Sequence, residues 1–154
     1  MTETSDIEIL GFLLTDSARH LRAAFERRIS EAGLGITPAE ARTLLNVHAL
    51  KDCRQLDIAA RMGIEPMTVC TFLDKLQAQG LIERHPDPVD RRAKRVRLTN
   101  SSMPMIEAIR TELRALLAQA TKGLGDEDAE ALCRLLAHVI RNLQADDPAS
   151  EAAV

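Results

Sequence analysis

Apolar residues recur every three or four positions along three long stretches of the sequence, which is the spacing of one face of an α-helix. The first stretch covers Ile7–Ile29, the second Ile106–Leu124 and the third Leu132–Leu143. Acidic residues at 126–128 precede the third stretch, where the dipole of a helix N-terminus favours negative charge. The pattern predicts three long amphipathic helices.

The centre of the chain predicts three shorter helices. Thr37, Pro38 and Glu40 have the spacing of a capping box with proline in the first turn, which marks the start of the first helix. Gly63 and Gly80 are expected to end the second and third helices, because glycine tolerates the left-handed conformation that follows a helix. These helices are expected at residues 38–49, 54–62 and 66–79.

A β-hairpin is expected after the third short helix. Residues 81–85 form a short extended segment, and the prolines in Pro86–Asp90 indicate a loop. Arg95–Thr99 alternates polar and apolar residues, as a strand with one buried face does. Five of the seven residues from Arg91 to Arg97 are basic, so the end of this hairpin carries positive charge.

Composition favours a mostly helical protein. Of the 154 residues, 45% are hydrophobic and only 2% are aromatic, which argues against a β-sandwich. No Ser/His/Asp set, carboxylate pair or phosphate-binding loop stands out, so we expect neither an enzyme nor a cofactor. The N-terminus is polar and acidic, no apolar run could span a membrane, and the three cysteines are scattered. We therefore expect a cytoplasmic protein without membrane contact.

The charge is unevenly distributed along the chain. The formal net charge is −3, yet residues 51–99 contain ten basic and seven acidic side chains. Association with a charged partner depends on the field near the contact surface rather than on the whole-chain charge. The local basic cluster therefore favours binding to nucleic acid.

The second and third short helices have the spacing of a helix-turn-helix. Ala59 allows close helix approach, Gly63 supplies the turn, and Gln55, Val69 and Phe72 occupy the other characteristic positions. A basic hairpin directly after this motif defines a winged helix-turn-helix. The expected fold is mostly α with a small β-hairpin wing, in the order α1-α2-α3-α4-β-β-α5-α6. The face of the recognition helix expected to enter a major groove comprises Met67, Thr68, Cys70, Thr71 and Lys75.

Two stretches of the sequence resemble the MarR family of bacterial transcription regulators. They are Leu73–Arg84 and the wing segment Asp90–Thr99, and the order of helices also matches over nearly the whole chain. The resemblance implies a homodimer in which the first, fifth and sixth helices intertwine. It also implies binding to a pseudo-palindromic double-stranded operator, and release by a small phenolic ligand or by cysteine oxidation.

The resemblance assigns roles to individual residues. Arg92 would enter the minor groove with Asp90 as its brace, and Thr68, Cys70 and Thr71 would face the major groove. Thr71 stands where many relatives carry Arg, so a strong guanine contact is not predicted, and Ser102 replaces a common glycine before the fifth helix. Basic candidates for DNA contact are Lys75, Arg84, Arg91 and Lys94. Two further basic residues either contact phosphates or only keep the outer face of the strand polar, namely Arg95 and Arg97.

Cysteine and histidine positions leave further alternatives open. Oxidation of Cys70 or Cys53 would make the protein a redox-responsive regulator, whereas Cys133 is expected to pack on the sixth helix. No two histidines have the spacing of metal ligands, so no metal site is expected. A small aromatic or carboxylate effector could be held near the cleft where relatives bind ligands, or these side chains are merely polar surface groups: Arg19, His20 and His48.

These observations predict a homodimeric DNA-binding transcription regulator, a repressor that a small molecule releases. Dimerisation helices are expected at residues 1–36 and 100–145, a DNA-binding lobe at 37–99 and a flexible tail at 146–154. The long apolar faces exceed what a small lobe can bury, which favours a homodimer. The alternative is a winged-helix module that binds protein and not DNA, because fold alone does not settle function.

Overall fold

The computed structural model describes the backbone of residues 4–145 and the side chains of residues 7–145. The predicted tail at 146–154 lies outside the described residues. Contacts divide the described chain into two units, one ending at Leu116 and the other beginning at Leu117. No helix in the part that was described is long and apolar enough to cross a membrane.

The described residues form six α-helices and three short strands, and a single 3₁₀ turn, Asn100–Ser102, precedes the fifth helix. The predicted helices are all present, with ends within a few residues of those expected. The helices are α1 (Thr4–Ala32), α2 (Pro38–Leu50), α3 (Gln55–Met62), α4 (Pro66–Ala78), α5 (Met103–Ala120) and α6 (Asp126–Ala145). The strands are β1 (Cys53–Arg54), β2 (Ile82–Pro86) and β3 (Lys94–Leu98).

The sheet has one strand more than the sequence predicted. The expected order had two strands after α4, but β1 precedes α3 and pairs antiparallel with β3, with Cys53 opposite Val96. The strand order is β1-β3-β2, so β3 is central and β2, which ends at Pro86, is an edge strand. A strand of two residues has no periodicity to detect, and only its pairing with a segment 43 residues later creates it.

The predicted signals for the helix ends are confirmed in atomic detail. The Thr37 hydroxyl accepts a hydrogen bond from the Glu40 backbone N–H at 3.2 Å. The Glu40 carboxylate accepts one in return from the Thr37 N–H at 3.0 Å. Gly63 ends α3 with φ of +64°, a left-handed backbone conformation that is energetically unfavourable for a residue with a Cβ atom. Ser102 is buried, and its hydroxyl donates to the Thr99 carbonyl at 2.7 Å, which fixes the turn before α5.

One hydrophobic core joins the winged helix-turn-helix to parts of α1 and α5 in the first unit. Apolar side chains from every helix of this unit and from the sheet are fully or almost fully buried in it. Deep burial of this kind fixes the angle between α3 and α4, because close-packed interiors resist small displacements. The largest of the fully buried side chains are Ile29, Leu44, Ile58, Leu73, Leu76, Ile82, Ile106 and Ile109.

Two segments expose apolar side chains to an unusual extent. In the N-terminal half of α1, Ile7 is 62% exposed and Phe12 is 72% exposed. Within α6, all of whose residues are described, no side chain is buried, and Leu135 and Leu143 are 59% and 68% exposed. Cys133 on α6 is also exposed, so the packing predicted for this thiol is not made among the described residues.

Candidate nucleic-acid interface

Helix α4 divides into a buried and an exposed face, as a recognition helix should. Val69, Leu73 and Leu76 are fully buried and hold the helix against the core. Thr68 and Thr71 lie on the exposed face, where the sequence placed them. This face leaves α4 open to a partner along its length.

Two predicted groove-facing residues of α4 make contacts within the protein. Cys70 is half-buried, and its Sγ accepts a hydrogen bond from the Gln55 side-chain amide at 3.4 Å. Cys70 therefore faces α3 more than it faces solvent. Lys75 is exposed, and its Nζ lies 3.6 Å from a carboxylate oxygen of Glu40.

Arg84 on β2 is occupied by internal contacts. Its guanidinium donates to Gln77 at 2.6 Å, to Gln55 at 3.3 Å and to the carboxylate of Asp74, and its side chain is only 22% exposed. These bonds tie β2 to both helices of the helix-turn-helix. The geometry therefore favours a structural role for Arg84 over the phosphate contact that the sequence predicted.

The wing tip presents three basic side chains, Arg91, Arg92 and Lys94, all of them exposed. Within the described part of the chain, none of the three takes part in an ion pair. Asp90 shapes the tip, because its carboxylate accepts a hydrogen bond from the Arg92 backbone N–H at 3.0 Å. The brace is thus made to the backbone of Arg92 and not to its guanidinium.

Asp87 anchors the base of the wing, a role that the sequence did not predict. Its carboxylate is 1% exposed and accepts hydrogen bonds from the backbone N–H groups of Val89 and Asp90, at 2.9 and 3.0 Å. The guanidinium groups of Arg54 and Arg95 donate to it at 2.9 and 3.1 Å. The two backbone donors, and after them the two arginines, hold the pKa of this carboxyl well below its usual range.

Asp52, in the loop before β1, forms a second anchor. Its carboxylate accepts from Arg95 and from Arg97, each at 2.9 Å. Hydrogen bonds from Arg97 and then Arg95 lower the pKa of Asp52 to about 2. The structure therefore gives both arginines of β3 an acidic partner within the fold, where the sequence had left their role open.

An open crevice separates the wing tip from the helix-turn-helix. The beginnings of α3 and α4 form one side of it and the wing forms the other. Three of the residues around it are basic, so an anionic partner would be attracted to it. The lining residues are Arg54, Gln55, Leu56, Pro66, Arg92, Ala93 and Lys94.

The residues predicted to hold an effector are not gathered at one place. Arg19 is exposed on α1, where it contacts Asp16 at 3.0 Å and the His20 ring at 3.2 Å. His48 lies half-buried on α2 and does not line the crevice beside Arg19.

A different crevice between α1, α2 and α5 brings two arginines close together on an apolar background. Its walls include Leu21, Phe25 and Leu45, with Arg22 and Arg42 at its edge. The pKa of Arg42 is lowered, first by burial and then by the neighbouring charge of Arg22. These two arginines were not predicted as site residues from the sequence, although each lies one turn from an apolar position on its helix.

The cysteines differ in their surroundings. Cys53 is buried, and burial, followed by the charges of Asp57 and Asp52, raises the pKa of its thiol to about 11. A thiol with a raised pKa is a poor nucleophile at neutral pH, so the geometry argues against redox chemistry at Cys53.

Comparison with known proteins finds one family whose model matches the central part of the chain. Residues 36–94 match the model of the MarR family. The chain is similar to a transcriptional regulator of the MarR family from Rhodococcus sp. RHA1, with 21% identity, a TM-score of 0.74 and coverage of 90% of this chain and 96% of that one. It is also similar to a mutant of MarR from E. coli complexed with operator DNA, with 22% identity, a TM-score of 0.68 and coverage of 90% and 99%.

A third solved structure is CouR from Rhodococcus jostii RHA1 bound to p-coumaroyl-CoA. The identity is 22%, the TM-score is 0.69, and the match covers 84% of this chain and 90% of that chain. At these identities the structural matches establish the fold, and the family model identifies the lobe that contains α2 to β3 up to Lys94. Residues 36–94, which include the helix-turn-helix and the tip of the wing, therefore resemble the MarR family.

Proposed function

We propose that the protein is a homodimeric, sequence-specific DNA-binding transcription regulator that represses its targets and is released by a small anionic effector. One observation carries the DNA-binding part of this proposal. The open face of α4 and the unpaired basic tip of the wing belong to one lobe, whose parts are tied together by Asp87 and Arg84. Helix-turn-helix proteins use such a face in the major groove, and the wing can add a minor-groove contact.

The basic residues of the lobe divide into two groups. Arg84, Arg95 and Arg97 are paired with acidic groups inside the protein. Arg91, Arg92 and Lys94 project from the tip, where they would neutralise phosphates or enter a narrow minor groove. The second group is therefore the set that we assign to DNA contact, with Thr68 and Thr71 on α4. We add Lys75, which stays 58% exposed although it pairs with Glu40.

Dimerisation is supported by the exposed apolar side chains. Leu132, Leu135, Leu136, Ile140 and Leu143 repeat along α6 at helical spacing, and each is between 37% and 68% exposed. Exposed apolar surface of this extent typically marks an interface. We therefore propose that residues 1–36 and 100–145 form the dimer interface, and that residues 37–99 form the DNA-binding lobe.

The effector is proposed to occupy the crevice lined by Arg22 and Arg42 rather than a site at His20 and His48. Two guanidinium groups beside Leu21, Phe25 and Leu45 suit an aromatic ring that carries a carboxylate. The CouR structure, which contains p-coumaroyl-CoA, supports such an effector class only by its shared fold. Salicylate is a suitable first probe, and it should weaken DNA binding roughly 5- to 150-fold, the usual range of allosteric coupling. The Arg42→Ala variant should bind DNA normally and lose this response.

Fluorescence anisotropy with labelled duplex DNA tests the proposal. The probe is the DNA upstream of the protein's own gene, titrated at several salt concentrations against a scrambled duplex. We expect tight, sequence-dependent binding that weakens as salt rises, because each phosphate contact adds about 0.9 to the slope of log K against log salt. Arg92→Ala should weaken binding, whereas Lys51→Ala, which removes an exposed cation outside both the proposed dimer helices and the residues assigned to DNA contact, should not.

Equal affinity for both duplexes would refute sequence-specific regulation. An unchanged affinity in Arg92→Ala would refute the role of the wing tip while leaving DNA binding by α4 intact. If the protein binds neither duplex, the result would favour a winged-helix module that contacts another protein and not DNA.

A further inference from the structure

The beginning of the recognition helix has an unusual chemical composition. Residues of the first two turns of such a helix contact base edges in the major groove. Between Pro66 and Leu73 there is no Arg, Lys, Asn or Gln, the side chains that form bidentate hydrogen bonds with guanine or adenine. Base recognition by this segment must therefore use hydroxyl groups or apolar contacts.

Polar side chains next to this segment are already engaged within the fold. The Gln55 amide donates to Cys70 at 3.4 Å and accepts from Arg84 at 3.3 Å, so both ends of the amide are used. The Thr71 hydroxyl donates to the Met67 carbonyl at 3.2 Å. That bond uses the hydroxyl proton, so Thr71 offers a partner its methyl group and an oxygen that can only accept.

Met67 dominates what remains of this surface. It lies in the first turn of α4 and is 80% exposed, more than any other large apolar side chain of the helix-turn-helix. Thr71 follows four residues later and lies on the same side of the helix. The two residues together present a thioether and a methyl group to the major groove.

Thymine is the only base whose major-groove edge carries an apolar group, the 5-methyl. We propose that Met67, supported by the methyl group of Thr71, recognises thymine in each operator half-site through its 5-methyl group. The inference rests on the proposed DNA-binding function and assigns its specificity to methyl contacts in place of a guanine-contacting arginine. Flexible, polarisable methionine side chains adapt well to such apolar contacts.

Replacing thymine by uracil tests this directly, because uracil lacks only the 5-methyl group. The preferred site is first selected from a random duplex library with the wild-type protein. Each thymine of the selected half-site is then replaced by uracil in turn. At the contacted position, affinity should fall about fourfold per half-site, which corresponds to the free energy of burying one methyl-sized group.

Variants separate Met67 from other exposed apolar residues. Met67→Ala should bind the thymine and uracil duplexes equally. Thr71→Ser should reduce the difference in affinity between these two duplexes. Val89→Ala, which removes an apolar side chain that is 87% exposed on the wing, should keep the full difference. All three changes are at exposed positions, and unchanged thermal unfolding confirms that each variant is folded.

Two results would overturn the inference. One is wild-type protein that binds thymine and uracil duplexes equally at every position while still preferring its selected site. The other is a Met67→Ala variant that keeps the wild-type difference in affinity between the thymine and uracil duplexes. A library from which no site is enriched would instead refute the proposed sequence-specific function, and the inference with it.

Discussion

Replacing Asp87 by asparagine should detach the wing from the helix-turn-helix while leaving the fold intact. In the wild-type protein one oxygen of this buried carboxylate accepts two backbone N–H groups of the tip, and the other accepts from Arg54 and Arg95. Asparagine keeps a single acceptor oxygen and replaces the other by an NH₂ group, which itself donates. A donor would then face two guanidinium donors, so the link from the tip to α3 and β3 would be lost.

The size of the effect on DNA binding follows from the number of cations on the tip. Arg91 and Arg92 are exposed in the tip that Asp87 anchors, whereas Lys94 is held in β3 by its pairing with Pro86. Two phosphate contacts contribute about 1.8 to the slope of log K against log salt, which is about a 12-fold loss of affinity between 50 and 200 mM salt. The Asp87→Asn variant should lose this part of the salt dependence for each wing.

Anisotropy titrations at 50, 100 and 200 mM salt measure the slope, and circular dichroism checks the helices. Asp52→Asn is the matched control, because Asp52 pairs with Arg95 and Arg97 but does not contact residues 88–93 of the tip. Its slope should stay near that of the wild type. If a folded Asp87→Asn variant keeps the wild-type slope, Asp87 does not position the wing and the reasoning is wrong.

Four further predictions concern stability and reactivity. Thr37→Ala removes the acceptor of the Glu40 N–H and should lower the free energy of unfolding in urea by about 1 kcal/mol. Ile109→Ala empties a fully buried position and should cost roughly 2–5 kcal/mol in the same assay, so a loss below that of Thr37→Ala would contradict the assigned core. The pKa of Asp52 is lowered to about 2 in the folded protein, so its contribution to stability is present above the unfolded pKa of about 4 and is lost as pH falls towards 2. Thermal unfolding between pH 5 and 2 should therefore depend less on pH in Asp52→Asn than in the wild type. Iodoacetamide at pH 7.5 should label Cys53 only after denaturation, because burial raises the pKa of its thiol to about 11, and rapid labelling of the native protein would refute this.

The helices could be predicted from the sequence because their signals are local. The capping box at Thr37 and Glu40 and the glycine at position 63 act within one turn, and each behaves as its spacing indicates. The buried face of α4 follows from helical periodicity in the same way, since Val69, Leu73 and Leu76 repeat at three or four residues.

The division of the basic cluster could not be predicted, because it depends on distant partners. Residues 91–97 form one run of positive charge in the sequence. In the structure, Arg95 and Arg97 pair with Asp52, more than 40 residues earlier, while Arg91 and Arg92 project from the tip. Strand β1 was missed for the same reason, because its two residues become a strand only through pairing with β3.

The position of β3 at the centre of the sheet bears on how this protein can diverge. Both of its edges are paired, to β1 and to β2, so a change within β3 disturbs two neighbours at once. Residues 88–92, in contrast, lie between the paired strands and contribute no side chain to the core. Under the proposed function, the strength of operator binding and the stability of the fold are therefore set by different residues of one hairpin. On that proposal, substitutions among the cations of the tip can alter operator affinity over evolutionary time without destabilising the folded lobe.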